Sequence, residues 1–180
     1  MHPLRALLLA INVVGGIAVL GSYALGIRSH AEAGVLLWGG VPESLRPLYT
    51  TSMITATVGY LAFTGYLFFL VDPDAARVGP FGYRLLLLLY VLVLLPSALW
   101  MPLTFRFLDG GATSESLWLA VRGVLALVGL GAAAMIAALA TLQGAPGGRW
   151  RIVALIGAVA FSIQTSLLDG IIWPAFFRRG

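Results

Sequence analysis

Asp169 is the residue of this sequence most in need of a reason. It stands in Leu168-Asp169-Gly170-Ile171-Ile172-Trp173, inside the last apolar run and seven residues before Phe176. At a rise of ~1.5 Å per residue that is roughly 10 Å from a helix end. A carboxylate at such depth in hydrocarbon costs about 2.5–3.5 kcal/mol on insertion scales, so it is expected to face other helices. Arg46, Arg106 and Arg122 are its candidate partners. Two chemistries fit: an ion pair that pins helices together, or a polar anchor for the cation, amide or hydroxyl of a ligand.

The second chemically suggestive stretch is Leu95-Pro96-Ser97-Ala98-Leu99-Trp100-Met101-Pro102-Leu103-Thr104-Phe105-Arg106-Phe107. Its two prolines remove backbone donors and are expected to bend or fray a helix. In lipid the freed groups must be met by neighbouring helices or a cavity. Trp100 sits between the prolines and Arg106 follows about one turn later. The stretch reads either as the wall of a ligand pocket or as a proline-terminated span with an interfacial Trp anchor.

Other chemistry finds no support. Cys is absent, which removes disulfides and thiolate catalysis. His2 and His30 lie outside the apolar runs, so axial histidine ligation of haem is not expected. No HExxH, GxSxG or phosphate-loop pattern occurs, and the chain reads as a non-enzyme.

What positions these residues is a membrane. Hydrophobic residues make up 60% of the 180 positions and charged ones 10%, against about 25% charged in an average soluble domain. Mean hydropathy is +0.97. The fold class is an all-α integral membrane protein, a five-transmembrane-helix bundle with no β-sheet, forming one domain over residues 1–180. The spans are expected at about 6–27, 49–71, 83–105, 116–142 and 150–176, each near the ~20 residues a bilayer needs. The first is read as a retained span with a smooth glycine face at Gly15, Gly16 and Gly21. In the second, Thr50, Thr57 and Thr64 recur along one stripe, expected to face helix neighbours. In the fourth, Gly129, Ala133 and Ala137 follow the small-xxx-small pattern of close helix packing, and Arg122 must snorkel or pair. Arg178-Arg179 closes the fifth. The expected partner is the lipid bilayer, in a bacterial inner (cytoplasmic) membrane. All 11 basic residues are Arg and no run exceeds two, so nucleic acid is not expected.

The first connection, Arg28 to Leu48, is long, and its Trp and Leu content argues against disorder. Ala33 to Trp38 is expected to fold back onto the membrane. Five spans put this connection and the third one on a common face, here the loop side. Trp38, Trp100, Trp118 and Trp173 all fall toward that side and Trp150 lies opposite. An aromatic belt would decorate both interfaces, so the one-sided cluster points to a pocket under the first loop. Tyr60, one turn from Thr57, and Pro42 in the loop complete the candidate lining.

Leu99-Trp100-Met101-Pro102-Leu103-Thr104-Phe105 resembles the L-W-x-P-x-F-F signature that ends the third helix of the TspO/translocator protein (tryptophan-rich sensory protein) family. Leu168-Asp169-Gly170-Ile171-Ile172-Trp173 is similar to that family's L-N-x-x-I-W. Trp38 with Pro42 and Pro47 occupies the place of its Trp- and Pro-bearing first loop. The sequence departs from the family in its thinner proline density, in Phe161 where P-Y-x-x-W is expected, and in Asp169 where the family has Asn. The resemblance implies a five-helix bundle that binds porphyrins, sterol-like or other flat apolar ligands under the first loop.

The functional expectation is therefore a membrane binding or sensor protein for a hydrophobic small molecule, a tetrapyrrole or lipid held without a covalent bond. Arg46 or Arg106 would pair a ligand carboxylate at the mouth. The alternative is a non-catalytic structural or assembly subunit of a larger membrane complex, or a homodimer, which the Gly/Ala faces and Leu-rich third span suit equally.

Overall fold

The computed structural model describes residues 1–177; Arg178 and Arg179, read above as the basic close of the fifth span, lie outside the described residues. Five helices are long and apolar enough to cross a membrane: Pro3–Ser29, Glu43–Leu70, Tyr83–Asp109, Glu115–Thr141 and Arg149–Phe177. Each coincides with an expected span to within a few residues.

Helix α1 (Pro3–Ser29) starts where Pro3 presets the helical φ and the His2 ring accepts from the Leu4 amide at 3.1 Å. A short helix, α2 (Ala33–Leu36), and a 3₁₀ turn, Glu43–Leu45, occupy the first loop. Helix α3 (Arg46–Gly65) ends in a π-helical turn, Tyr66–Leu70. Helix α4 (Tyr83–Asp109) continues through both Pro96 and Pro102 instead of fraying. Pro96 is buried inside the bundle, and the Ser97 hydroxyl back-bonds to the Val93 carbonyl at 2.7 Å. Helix α5 (Glu115–Thr141) begins on Ser114, whose Oγ accepts from the Leu117 amide at 3.3 Å, with Glu115 in the first turn. The last span is α6 (Arg149–Ser162), a ten-residue π-helical stretch Ile163–Ile172, and α7 (Trp173–Phe177).

The expectation of an all-helical chain meets one small exception. Strands β1 (Arg77–Val78) and β2 (Phe81–Gly82) pair antiparallel across Gly79-Pro80. Gly79 has φ +56°, a conformation that glycine adopts without a Cβ penalty and that lets the chain reverse there. The Arg77 backbone also exchanges hydrogen bonds of 3.0 and 2.8 Å with Gln143, fastening the second loop to the fourth.

The helices pack in the spatial sequence α1, α4, α5, α6, α3. Two cores result. At the N-terminal face Phe63, Tyr66, Leu67, Tyr83, Leu86, Tyr90, Met135 and Leu139 close together; at the loop side Val41, Tyr49, Phe107, Trp118, Leu168, Trp173 and Phe177 do. Helix α1 is peripheral. Leu8 is its one buried residue, while Val14, Ile17 and Leu20 face outward.

Two packing expectations change. The Thr50 and Thr57 hydroxyls back-bond to Arg46 and Met53 carbonyls on exposed positions, and Thr64 alone turns inward, to Tyr90 at 2.7 Å. A hydroxyl satisfied by its own helix has no need of a neighbour. In α5, Gly129 packs on Ser166, but Ala133 and Ala137 face outward; Gly131 against Val93 and the buried Ala132 and Ala138 carry the packing.

The tightest helix approach joins α3 to α6. A Cβ on Gly59 would fall on the Gly157 carbonyl oxygen, and one on Gly157 would lie 2.6 Å from that of Gly59. Gly16 of α1 has nothing within 4 Å. Gly59→Ala is therefore expected to lower stability by about 1–3 kcal/mol and Gly16→Ala to leave it nearly unchanged, read as thermal unfolding in detergent.

Candidate functional site

Two long-range bonds hold the first loop down, His30 Nε2 to Asp109 at 3.1 Å at its start and one from Trp173 at its middle. The Trp173 indole donates to the Leu37 carbonyl at 2.8 Å across the bundle. Ala33 is 1% exposed against Met101 and Phe105, so α2 folds back onto the helices, as the loop composition implied. Beneath it the rings converge. Trp100 lies edge-on to Trp173 with centroids 5.5 Å apart, Trp118 is 6.3 Å from Trp173, and Phe177 stacks on Trp173 at 4.2 Å. Phe107 reaches Trp118 at 5.3 Å and Tyr23 of α1 reaches Trp100 at 5.7 Å. Trp38 meets Tyr49 edge-on at 5.8 Å. Four tryptophans of the loop side thus share one aromatic compartment, while Trp150 is exposed on the opposite face. The rings fill the compartment with one another.

Its polar floor is Asp169. The carboxylate accepts from Gln164 Nε2 at 2.8 Å. In an α-helix, residues three and four apart lie above one another, so Gln164 would miss Asp169 at five. The π-helical winding of Ile163–Ile172 brings them into line, and such windings gather at functional positions. The phenols of Tyr23 and Tyr49 lie within electrostatic reach of the carboxylate, and the Tyr49 hydroxyl donates to the Leu168 carbonyl at 3.1 Å.

None of the three candidate arginines pairs with Asp169 among the described residues. Arg106 and Arg122 are exposed on outward faces of α4 and α5, from which a long guanidinium stem can reach the headgroups. Arg46 turns to the rim, its guanidinium 5.6 Å over the Trp38 ring and 3.6 Å from Glu43. The expected buried ion pair is replaced by a carboxylate–amide hydrogen bond, because each arginine stands on an outward face or at the rim.

Tyr60 is not part of this compartment. Its hydroxyl donates to Asn12 at 2.6 Å, and its ring packs with Phe63, Tyr90 and Phe161 in the other core. Pro42 is exposed in the loop, ahead of the 3₁₀ turn. The residues that sequence reasoning missed are Tyr23, Tyr49, Thr104, Gln164 and Phe177. Phe177 had a signal, since it follows Trp173 by one turn and shares its face. Gln164 had none while an α-helical period was assumed.

Four buried polar atoms on this side have no hydrogen-bond partner among the described residues: Arg46 Nε at the rim, Trp100 Nε1, Thr104 Oγ1 and Gln164 Oε1. Thr104 is 0% and Gln164 4% exposed, so bulk water does not meet them. A buried polar atom without a partner costs about 1–3 kcal/mol. Apolar grooves lie elsewhere, along the α1–α4 seam. One of about 470 Å³ is lined by Gly21, Leu25, Gly26, His30, Pro102 and Phe105, and one of about 380 Å³ by Ile11, Val14, Gly15, Leu94 and Leu95. Both open onto the lipid-facing surface.

Asp169→Leu removes the acceptor of Gln164 Nε2 and is expected to destabilise by about 1–3 kcal/mol. Asp169→Asn keeps an acceptor oxygen and should cost less. Arg106→Gln should leave the unfolding temperature in detergent unchanged, since its side chain points outward; a large loss there would restore the ion pair.

No protein-family model, curated protein or solved structure matches the chain, so its function rests on its own residues.

Proposed function

We propose that the chain is a membrane-embedded binding or sensor protein for a flat hydrophobic ligand, porphyrin-like, sterol-like or lipid, seated under the first loop at the loop side. The observation that carries this reading is the one-sided aromatic compartment: Trp100, Trp118 and Trp173 with Phe177 at ring separations of 4.2–6.3 Å, beside an indole N–H that has no partner. Wide apolar ring faces suit a flat ligand, and ring–ring contacts of this kind are worth about 0.5–1.5 kcal/mol each. A ligand that intercalates exchanges those contacts for its own, and Trp38 and Trp100, both part-exposed, are the rings placed to yield. Arg46 lies over Trp38 at the rim, 3.6 Å from Glu43. The resemblance of Leu99–Phe105 and Leu168–Trp173 to the TspO/translocator signatures supports the same class of ligand, and the reading places the chain in a bacterial inner membrane. Nothing in the reading calls for catalysis.

A second reading, a structural subunit of a larger membrane complex, is favoured by α1. That helix has one buried residue and leaves Gly16 and Gly21 without neighbours, a smooth face that another helix could use.

Titration of the detergent-solubilised protein with a porphyrin is expected to quench tryptophan emission saturably, with a dissociation constant of about micromolar or tighter, roughly −8 kcal/mol. Trp100→Ala should weaken binding about tenfold and Trp150→Ala hardly at all, once both variants are shown to be folded by thermal unfolding. Quenching that never saturates, or equal affinities in the two variants, moves the complex-subunit reading ahead.

A further inference from the structure

The polar floor of the compartment says more about the ligand than its walls do. Asp169 is a carboxyl group in the last span, and among the described residues it has no cationic partner, only the Gln164 amide at 2.8 Å. A carboxylate in hydrocarbon ordinarily meets a cation or lines a functional site. On the same amide Gln164 Oε1 is buried and accepts no hydrogen bond. It is free to accept one, and Asp169 has lone pairs left after Gln164. Around Asp169 the unused groups are therefore acceptors, while the unmet donor Trp100 Nε1 belongs to the ring wall.

The surroundings narrow the donor further. Trp173 stands one turn beyond Asp169, Trp100 lies 5.5 Å from Trp173, and Tyr23 lies 5.7 Å from Trp100. Thr104 is one turn beyond Trp100 on α4. No group of three or more His, Cys, Asp or Glu side chains suited to a metal occurs among the described residues, and one carboxylate falls short of the six to eight oxygens that calcium takes or the octahedral shell of magnesium. Aromatic faces, in contrast, attract a desolvated organic ammonium. The rim does not oppose it with a free charge, since the Arg46 guanidinium is 3.6 Å from Glu43.

We infer that the ligand is a lipophilic organic cation, its ammonium group held by Asp169 and Gln164 Oε1 and its flat apolar body held by Trp100 and Trp173. This rests on the binding-protein reading above and adds the charge of the ligand to it.

Two flat probes of nearly equal shape separate the claims: 1-pyrenemethylamine, protonated at pH 7, and the neutral 1-pyrenemethanol. Binding is read by energy transfer from tryptophan to pyrene, with the full chain in a nonionic detergent so that the micelle does not select by charge. The wild-type protein is expected to bind the amine about tenfold more tightly than the alcohol. Asp169→Asn should abolish that preference, Asp169→Glu should retain part of it, and Trp100→Ala should weaken both probes. Thermal unfolding confirms that each variant is folded. Saturable binding of both probes with no preference in the wild type, or a preference that survives in Asp169→Asn, overturns the cation and leaves the aromatic site standing. Failure of both probes to saturate in the wild type overturns the site, and this inference with it.

Discussion

Hydrocarbon offers no partner to a polar group, so every buried donor and acceptor of this chain must be met by the chain itself or by something it binds. The N-terminal face meets most of that demand, with Arg5 Nε its one unmet buried side-chain atom among the described residues. Tyr66 donates to the Pro146 carbonyl, Tyr83 to the Leu67 carbonyl and Tyr60 to Asn12, while Thr64 and Tyr90 share a bond. Two of these acceptors lie where helical bonding has run out, at the π-helical end of α3 and in the fourth loop. Arg5 likewise donates to the Val71 carbonyl at 3.0 Å. The result is a polar seam that fastens helix ends to loops and has little left to offer a ligand.

The loop side is built from the same materials and ends differently. Trp173 and Tyr49 spend their donors on the Leu37 and Leu168 carbonyls, which fixes the first loop and the last span to each other. Arg46, Trp100, Thr104 and Gln164 retain unmet atoms at this side of the bundle, which Asp169 shares. The two ends thus differ in how much they leave undone, four buried side-chain atoms against one among the described residues. This asymmetry, and not the count of aromatic rings, separates a binding compartment from a packed core. The grooves on the α1–α4 seam are mostly apolar, with Ser22, Ser29 and His30 in the larger one.

Much of this was legible from residue types alone. The apolar runs and the Gly/Pro turns between them placed five spans, because a run of ~20 apolar residues has few other uses. The one-sided distribution of Trp38, Trp100, Trp118 and Trp173 foretold their shared level. What the sequence could not disclose was helical phase. A ten-residue π-helical stretch changes which side chains lie above one another, so Gln164 became the neighbour of Asp169 and the anticipated arginine did not. The same blindness put Tyr60 in the wrong core and Ala133 and Ala137 on the wrong face, since membrane helices are apolar all round and carry no hydrophobic stripe to fix rotation. Pro96 and Pro102 misled in a milder way. Helix α4 runs through both, with Pro96 buried among its neighbours.

The central claim is that a ligand enters beneath the first loop, between the rings and Asp169, and not along the outer face of α1. A photoactivatable diazirine derivative of a flat hydrophobic cation, crosslinked to the protein in nanodiscs and mapped by mass spectrometry, tests it most directly. The account predicts saturable labelling concentrated on Leu37–Trp38, Trp100–Thr104 and Gln164–Trp173 and suppressed by unlabelled ligand. Labelling spread over Val14, Ile17, Leu20 and the other outward residues of α1, undiminished by competitor, would contradict it.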